Sequence, residues 1–398
     1  MLDQVTSTPF TLLGVAAVYL VAITTVWTRV GSMVPEPNSN RFASLDGLRG
    51  LLAIFVLCHH SLYWYGRLTT GSWTMPSILY ENLGKGSVIL FFMISSFLFY
   101  NKVLAIEKSP LDWPRFAISR LLRLTPLYLC AMALLIIEVA IASQWHVNDT
   151  PVMLLKSILS WIGFTISGSP DINQVKNTSL IIAGVTWSLV YEWIFYAALP
   201  LIALFSARKV PHIALLLSVA TSLFLYRMVH PNPIILTAFL GGIAAAIIVR
   251  WGKLNPLLRS AWVVPIVLIL VYKSWTLYYN PWNPVTLLIL TVVFTAISAG
   301  NSIFGLLDRP MPRKLGEVSY GVYLFHGLIL YGLLQLSPLG KSAALQTPST
   351  YLVAILVITI LTVSLSCIGF RFIEAPAMAL VNPITTNLRN SWRQLRQS

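Results

Sequence analysis

The chain has 398 residues, of which 57% are hydrophobic and only 10% are charged, and this composition excludes an ordinary soluble domain. Its formal net charge of +14 is compatible with a nucleic-acid partner, but most of the 27 Lys and Arg residues lie in short connections between apolar runs. That arrangement is typical of topology signals in a membrane protein. The three cysteines, Cys58, Cys130 and Cys367, lie in apolar runs without metal-ligand spacing, so neither a disulfide framework nor a metal site is expected.

The apolar runs predict an all-α fold, a polytopic bundle of about eleven transmembrane helices. They lie near residues 10–28, 43–65, 83–101, 121–144, 184–206, 211–227, 233–250, 260–279, 284–304, 315–336 and 351–372. A further run at 152–168 contains a lysine and opens a polar stretch, so we expect it to be re-entrant or to lie at the outer surface. The first run is followed by Arg29 and preceded by no basic residue, which favours a membrane helix over a cleaved signal peptide.

The basic connection between the third and fourth runs predicts the orientation of the bundle. It contains Lys102, Lys108, Arg115, Arg120 and Arg123, and such a cluster favours the cytoplasmic side. Counting spans from this connection predicts an outer N-terminus and a cytoplasmic C-terminus. The other basic stretches, Arg208 and Lys209, 250–259, 309–314 and the tail with Arg389, Arg393 and Arg396, are then also cytoplasmic.

The second run, RFASLDGLRGLLAIFVLCHH at 41–60, contains three ionisable residues on one stripe: Asp46, Arg49 and His60. Ionisable side chains inside a span usually have a functional reason. Arg49 and His60 are separated by about three turns, or about 16 Å of helix rise, so they share a face. His59 is turned about 100° from this stripe. His60 is therefore the predicted catalytic histidine.

In RLLRLTPLY, Arg120 and Arg123 are at positions i and i+3 of a helix that enters the membrane from the basic connection. Both can present forked donors from one face, which suits a phosphate ligand. The alternative is that they extend to lipid headgroups and carry topology information without binding any ligand.

Several carboxylates lie within or beside the apolar runs. Glu192, in TWSLVYEWIFYAALP, needs a partner, and the expected candidates are Arg49, another basic residue or a histidine that it orients. A buried structural pair is the alternative. For Glu138 and Glu374 a structural role is expected, with Glu374 paired to Arg371 at the inner surface.

A second polar stripe lies in VSYGVYLFHGLIL, where Ser319, Tyr323 and His326 follow at i, i+4 and i+7. Such a stripe must face protein or water. It either lines a substrate path, or contains a neutral histidine bonded to a neighbouring carbonyl.

Six segments in order carry a resemblance to a known family: SLDGLRGLLAIFVLCHH, GKGSVILFFMISSFLF, RLLRLTPLYL, TWSLVYEWIFYAALP, VSYGVYLFHGLIL and FRFIEAPA. Together they resemble the acyltransferase 3 family of integral membrane acyltransferases. The resemblance implies a ten-span acyltransferase domain at 41–378. Residues 1–40 would then be an additional N-terminal helix and linker, and 379–398 a basic cytoplasmic tail.

The resemblance also implies the reaction: transfer of an acyl group, most often acetyl from acetyl-CoA, without a metal, to a hydroxyl of a cell-envelope carbohydrate or lipid-linked saccharide. It marks the pair Arg49 and His60, the pair Arg120 and Arg123, and Glu192. The bacterial inner membrane is the expected location. Two positions depart from the usual pattern, Ser96 in place of glycine and Ala375 in place of arginine.

These residues suggest a mechanism, in which Arg120 and Arg123 bind the CoA phosphates at the cytoplasmic side and Arg49 positions the pantetheine arm. His60 acts as general base on the acceptor hydroxyl in a direct transfer, and a route through an acyl-enzyme intermediate on His60 or a serine is the alternative.

Glu192 is expected to orient His60 or to offset its charge. Asp46, Ser319, Tyr323 and His326 are predicted to line the substrate path. The alternatives are a transporter or flippase of a lipid-linked saccharide, and an acyltransferase with a small-molecule acceptor.

Overall fold

The computed structural model describes residues 12–35, 42–75, 77–105, 111–206, 210–277 and 280–395. Within these ranges the chain forms helices and turns, and no β-strand is present. Four of the residues predicted to carry cytoplasmic charge, Lys108, Arg208, Lys209 and Arg396, lie outside the described ranges.

The α-helices follow one another along the whole described chain. They are α1 (Leu12–Val30), α2 (Ala43–Thr70), α3 (Ile78–Leu104), α4 (Trp113–Ala142), α5 (Pro151–Ile162), α6 (Thr186–Leu204), α7 (His212–Val229), α8 (Pro233–Trp251), α9 (Asn255–Leu258), α10 (Val263–Leu277), α11 (Pro284–Ser298), α12 (Pro310–Glu317), α13 (Ser319–Tyr331), α14 (Pro348–Gly369), α15 (Ala375–Ala379) and α16 (Val381–Leu395). A π-helical turn, Gly332–Leu336, extends α13, and another, Phe370–Glu374, joins α14 to α15.

The helix lengths confirm the predicted polytopic helical bundle. In the described part of the chain, nine helices are long and apolar enough to cross a membrane. The apolar helices α10 and α11, with 15 residues each, are shorter and occupy two further predicted spans. Helix α5 has 12 residues, or about 18 Å of rise, which is less than the thickness of the hydrocarbon core.

Small residues allow the helices around α2 and α3 to pack closely. A Cβ atom on Gly316 of α12 would lie 2.0 Å from the Asp46 carbonyl oxygen, so α12 and α2 touch through their backbones. A Cβ on Gly242 of α8 would lie 2.1 Å from the Ser96 Oγ of α3. Gly242 on α8 thus leaves space for the Ser96 side chain. Helices α3 and α8 therefore pack closely although position 96 is serine instead of the glycine that the family pattern has.

Candidate functional site

Helices α2, α3, α4, α6 and α13 surround a cavity of about 350 Å³. Its polar and charged lining residues are Arg49, Ser95, Lys102, Arg120, Arg123, Ser188, Glu192, Tyr196, Glu317, Ser319, Tyr320 and Tyr323. The basic members lie near the ends of α2, α3 and α4 that the charge distribution assigns to the cytoplasm. The cavity is therefore an anion-attracting space at the predicted inner side of the bundle.

Arg123 forms a buried ion pair with Glu374, whose exposed fraction is only 1%. Its second terminal nitrogen, Nη2, donates to the Glu317 carbonyl oxygen at 3.3 Å. The expected pairing of Glu374 with Arg371 is wrong, because Arg371 is exposed while Glu374 faces α4 from the π-helical turn. The Glu374 charge thus neutralises one of the two arginines predicted to bind phosphate.

Arg120 lies in a different environment from Arg123. Its guanidinium carbon is 4.8 Å from the ring centroid of Phe99, and the Lys102 ammonium is 5.2 Å from the same ring. The buried Arg120 Nε has no hydrogen-bond acceptor among the residues that the structure describes. Arg120 and Lys102 together form a cationic wall on one side of the cavity.

Arg49 also borders the cavity, and its side chain lies 3.9 Å from the carboxylate of Asp46, one turn earlier on α2. Asp46 itself does not border this cavity, in contrast to the expectation that it lines the substrate path. Its backbone carbonyl is the atom that approaches Gly316, so this turn of α2 is held against α12.

Glu192 accepts two hydrogen bonds from uncharged side chains. The Ser95 hydroxyl donates to Oε1 at 2.9 Å, and the Tyr196 hydroxyl donates to Oε2 at 2.8 Å. Neither partner is the basic residue or histidine that the sequence led us to expect. Tyr196 lies one helical turn after Glu192 on α6, and Ser95 comes from the neighbouring α3. Glu192 therefore contributes a hydroxyl-bound negative charge to the cavity wall.

Tyr323 lies where the cavity approaches a pair of histidines. Its hydroxyl is 2.7 Å from that of Ser188 and donates to the Val185 carbonyl at 3.2 Å. Its ring centroid is 6.2 Å from that of His326. Ser319, one turn nearer the predicted inner side, also borders the cavity and donates to the Gly316 carbonyl at 2.8 Å.

His60 and His326 are in direct contact, with His60 Nδ1 at 3.1 Å from His326 Nε2. His60 Nδ1 also lies 3.0 Å from the Val56 carbonyl oxygen, and His326 Nδ1 lies 3.0 Å from the Val322 carbonyl oxygen. Because a carbonyl only accepts, both rings carry their proton on Nδ1 when neutral. Nε2 of His60 then keeps its lone pair, and no described residue forms a hydrogen bond with it.

The sequence did not show that the two polar stripes meet at this pair. His326 is fully buried and does not border the cavity, so it contacts His60 instead of lining the space as expected. His60 does not border the cavity either and remains half-buried. Nor does Glu192 form a hydrogen bond with His60; its two oxygens accept from the Ser95 and Tyr196 hydroxyls instead.

His59 packs against α3, and the edge contact of its ring with His60, with centroids 4.8 Å apart, leaves it outside the hydrogen-bonded pair. Its Nδ1 lies 3.0 Å from the Tyr80 carbonyl oxygen, and a Cβ on Gly84 would lie 2.3 Å from its ring. The 100° rotation between successive helix residues accounts for the difference in direction. His59 is thus fixed in the packing between α2 and α3.

A family model described as an acyltransferase domain matches residues 42–370, which is most of the chain. The chain belongs to the acyltransferase 3 family. This acyltransferase is an integral membrane protein, since the family assignment and the apolar helices agree. Searches of curated proteins and of solved structures found no match.

Proposed function

We propose that this membrane acyltransferase moves an acetyl group from acetyl-CoA to a hydroxyl of a cell-envelope carbohydrate, with His60 as general base. The donor enters from the cytoplasmic side of a bacterial inner membrane, and the acceptor arrives from the outer side. The observation that supports this proposal best is a cationic cavity lined by Tyr323, whose ring lies 6.2 Å from that of His326, the hydrogen-bond partner of a His60 with an uncommitted Nε2.

The donor side of the proposal rests on the basic residues of the cavity. CoA carries several phosphates, and charge-assisted hydrogen bonds from Arg120, with Lys102 beside it, suit them. Arg123 contributes less, because Glu374 already compensates its charge. Arg49 lies between this cationic wall and His60 on the common stripe of α2, where it can guide the pantetheine arm.

The transfer step is written as direct attack of the acceptor. The hydroxyl oxygen forms a bond to the thioester carbonyl carbon while His60 Nε2 takes the hydroxyl proton. The carbon–sulfur bond then breaks, and the proton passes to the CoA thiolate. While His60 is charged, its Nδ1–H donates to the Val56 carbonyl and to His326, which stabilises the imidazolium.

The first test uses cells that lack this chain and are complemented with wild type, His60→Ala or His59→Ala. Base-labile acetate on surface glycans is measured by mass spectrometry, and each value is divided by the amount of protein in the membrane. Wild type and His59→Ala restore the acetate, whereas His60→Ala falls by about 100-fold or more because the general base is lost. His59→Ala is the matched control, since it removes an adjacent imidazole that touches His60 only through its ring and whose Nδ1 is bound to the Tyr80 carbonyl.

Restoration by His60→Ala would contradict His60 as the base. Equal losses in both variants would contradict the distinction between the two histidines. Glycan acetate that stays the same in all strains would contradict acetyl transfer to surface carbohydrate.

A further inference from the structure

Glu138 of α4 differs from the other carboxylates buried within the helices. Glu192 is held by hydroxyls, Glu374 by Arg123, and Glu81 by the Tyr63 hydroxyl at 2.6 Å and the Lys85 ammonium at 2.5 Å. Glu138 forms no hydrogen bond or ion pair with any described residue, and its Oε2 is buried.

An unpaired carboxylate in an apolar helix costs free energy. The structural role expected for Glu138 from the sequence therefore has no partner to support it. A group whose polar atoms are left unbound by the protein is suited to binding a ligand that supplies hydrogen-bond donors.

Gly332 faces Glu138. A Cβ on Gly332 would lie 3.4 Å from Glu138 Oε1 and, apart from its two chain neighbours and the backbone of its own helix, would meet no other described heavy atom within 4 Å. Gly332 begins the π-helical turn that extends α13, and π-helical turns are frequent at functional sites. Glycine at this position leaves one side of the carboxylate uncovered.

Aromatic rings lie next to this space. Tyr331 directly precedes Gly332, and its ring centroid is 6.2 Å from that of Trp64 on α2. Trp64 in turn lies 5.0 Å from Trp73, which is partly exposed. Aromatic rings pack against the C–H faces of sugars, and a carboxylate accepts hydrogen bonds from their hydroxyls.

This cluster lies on the outer side of the histidine pair. Trp64 follows His60 by one helical turn, and Tyr331 follows His326 by five residues, or about 7.5 Å of rise. Both helices run from the predicted cytoplasmic side to the outer side. The cluster is therefore beyond the catalytic histidine as seen from the donor cavity.

We propose that Glu138 and Tyr331 bind the acceptor, a sugar ring whose hydroxyls donate to the Glu138 carboxylate in the space over Gly332, while the buried Trp64 supports the Tyr331 ring from behind. The inference rests on the proposed function and adds the site where the carbohydrate is held. Glu138 is a binding residue here, whereas the proton transfer belongs to His60.

The test compares Glu138→Gln with wild type in membrane vesicles that contain the endogenous surface glycan. Three quantities are measured: transfer of radiolabel from acetyl-CoA to the glycan, binding of radiolabelled acetyl-CoA to the purified full-length protein, and the thermal unfolding midpoint. Transfer falls by about 10- to 100-fold, because hydrogen bonds from the sugar hydroxyls to the Glu138 side chain are lost. Donor binding stays within about twofold, and the midpoint is unchanged or higher because Glu138 has no hydrogen-bond or ion-pair partner among the described residues.

Glu81→Gln serves as the contrasting variant, because it removes a carboxylate that already has protein partners. Its unfolding midpoint falls, since Lys85 loses its counter-charge. Equal transfer by Glu138→Gln and wild type would overturn the acceptor site alone. A lower midpoint together with lost donor binding in Glu138→Gln would also overturn it, by making Glu138 structural. Absence of transfer by wild type would overturn the proposed function and, with it, the acceptor site.

Discussion

At the predicted cytoplasmic end of the site, Arg123 is held by a full opposite charge on Glu374, whereas His60 is held by two uncharged acceptors, the Val56 carbonyl and the His326 ring. The difference follows the medium around each group. Charges at the end of a helix bundle are compensated by counter-charges and water, but a group deep in a span is more stable when neutral. The same bundle thus combines an ionic cytoplasmic end with a neutral pair of histidines deeper in the spans.

Within this ionic end, two arginines on one face of α4 also differ. Arg123 is bound to Glu374 and to the Glu317 carbonyl, while Arg120 lies over Phe99 with its Nε unbound by the described residues. The sequence alone does not distinguish the two arginines, because their i, i+3 spacing places both on the same face of α4. The structure separates them into one arginine that is bound by a counter-charge and one that borders the cavity without a carboxylate partner among the described residues.

Of the substitutions at these sites, Arg123→Gln is expected to have the largest effect, and the quantity that changes is the stability of the protein. It leaves the Glu374 carboxylate buried without a counter-charge, which costs about 3 to 5 kcal/mol of unfolding free energy. Thermal unfolding of the purified protein in detergent measures the loss. The double variant Arg123→Gln with Glu374→Gln recovers most of the stability, because no charge then remains buried. A single variant as stable as wild type would show that the ion pair does not hold the bundle.

At the catalytic centre, His326→Leu is expected to lower kcat by about 10- to 100-fold without changing the KM for acetyl-CoA. Leucine cannot accept from His60 Nδ1–H, so the imidazole loses one of the two contacts that orient it. His326→Gln, whose amide oxygen can accept, keeps more of the activity. Initial rates at varied acetyl-CoA separate the two constants. A rise in KM with unchanged kcat would instead place His326 on the donor path.

The helical bundle and the polar stripes could be predicted because each depends on short-range pattern. The length of the apolar runs determines which segments can cross the hydrocarbon, and the 3.6-residue period places Arg49 and His60 on one face. The same period accounts for the separate direction of His59. Such statements concern one helix at a time.

Contacts between helices could not be predicted in this way. Arg123 and Glu374 are 251 residues apart, and His60 and His326 are 266 residues apart. Periodicity determines the faces of each helix but not which faces meet. That depends on close packing, such as the backbone contact between Gly316 and Asp46 that holds α12 against α2. The Ser95 partner of Glu192 and the Arg123–Glu374 pair were missed for the same reason, whereas Tyr196, four residues after Glu192 on the same helix, could have been found from the helical period.

Arg120→Gln is expected to change the KM for acetyl-CoA and to leave the stability unaltered, which is a smaller effect than that of Arg123→Gln. It tests the difference between the two arginines directly. Its guanidinium has no carboxylate partner among the described residues, so its removal strands no buried charge and leaves the unfolding midpoint close to that of wild type. It does remove a phosphate-binding cation from the cavity, and we expect the KM for acetyl-CoA to rise by about tenfold.

Arg115→Gln provides the control for Arg120→Gln. Arg115 lies on the same helix, is exposed, donates to Asn382 and does not border the cavity. A general loss of positive charge on the cytoplasmic side would raise the KM in both variants, whereas a phosphate site at Arg120 raises it only there. If Arg120→Gln instead unfolded as readily as Arg123→Gln with an unchanged KM, both arginines would be structural. Another cation of the cavity would then have to bind the donor, and Lys102, which lies over the same Phe99 ring as Arg120, is the candidate.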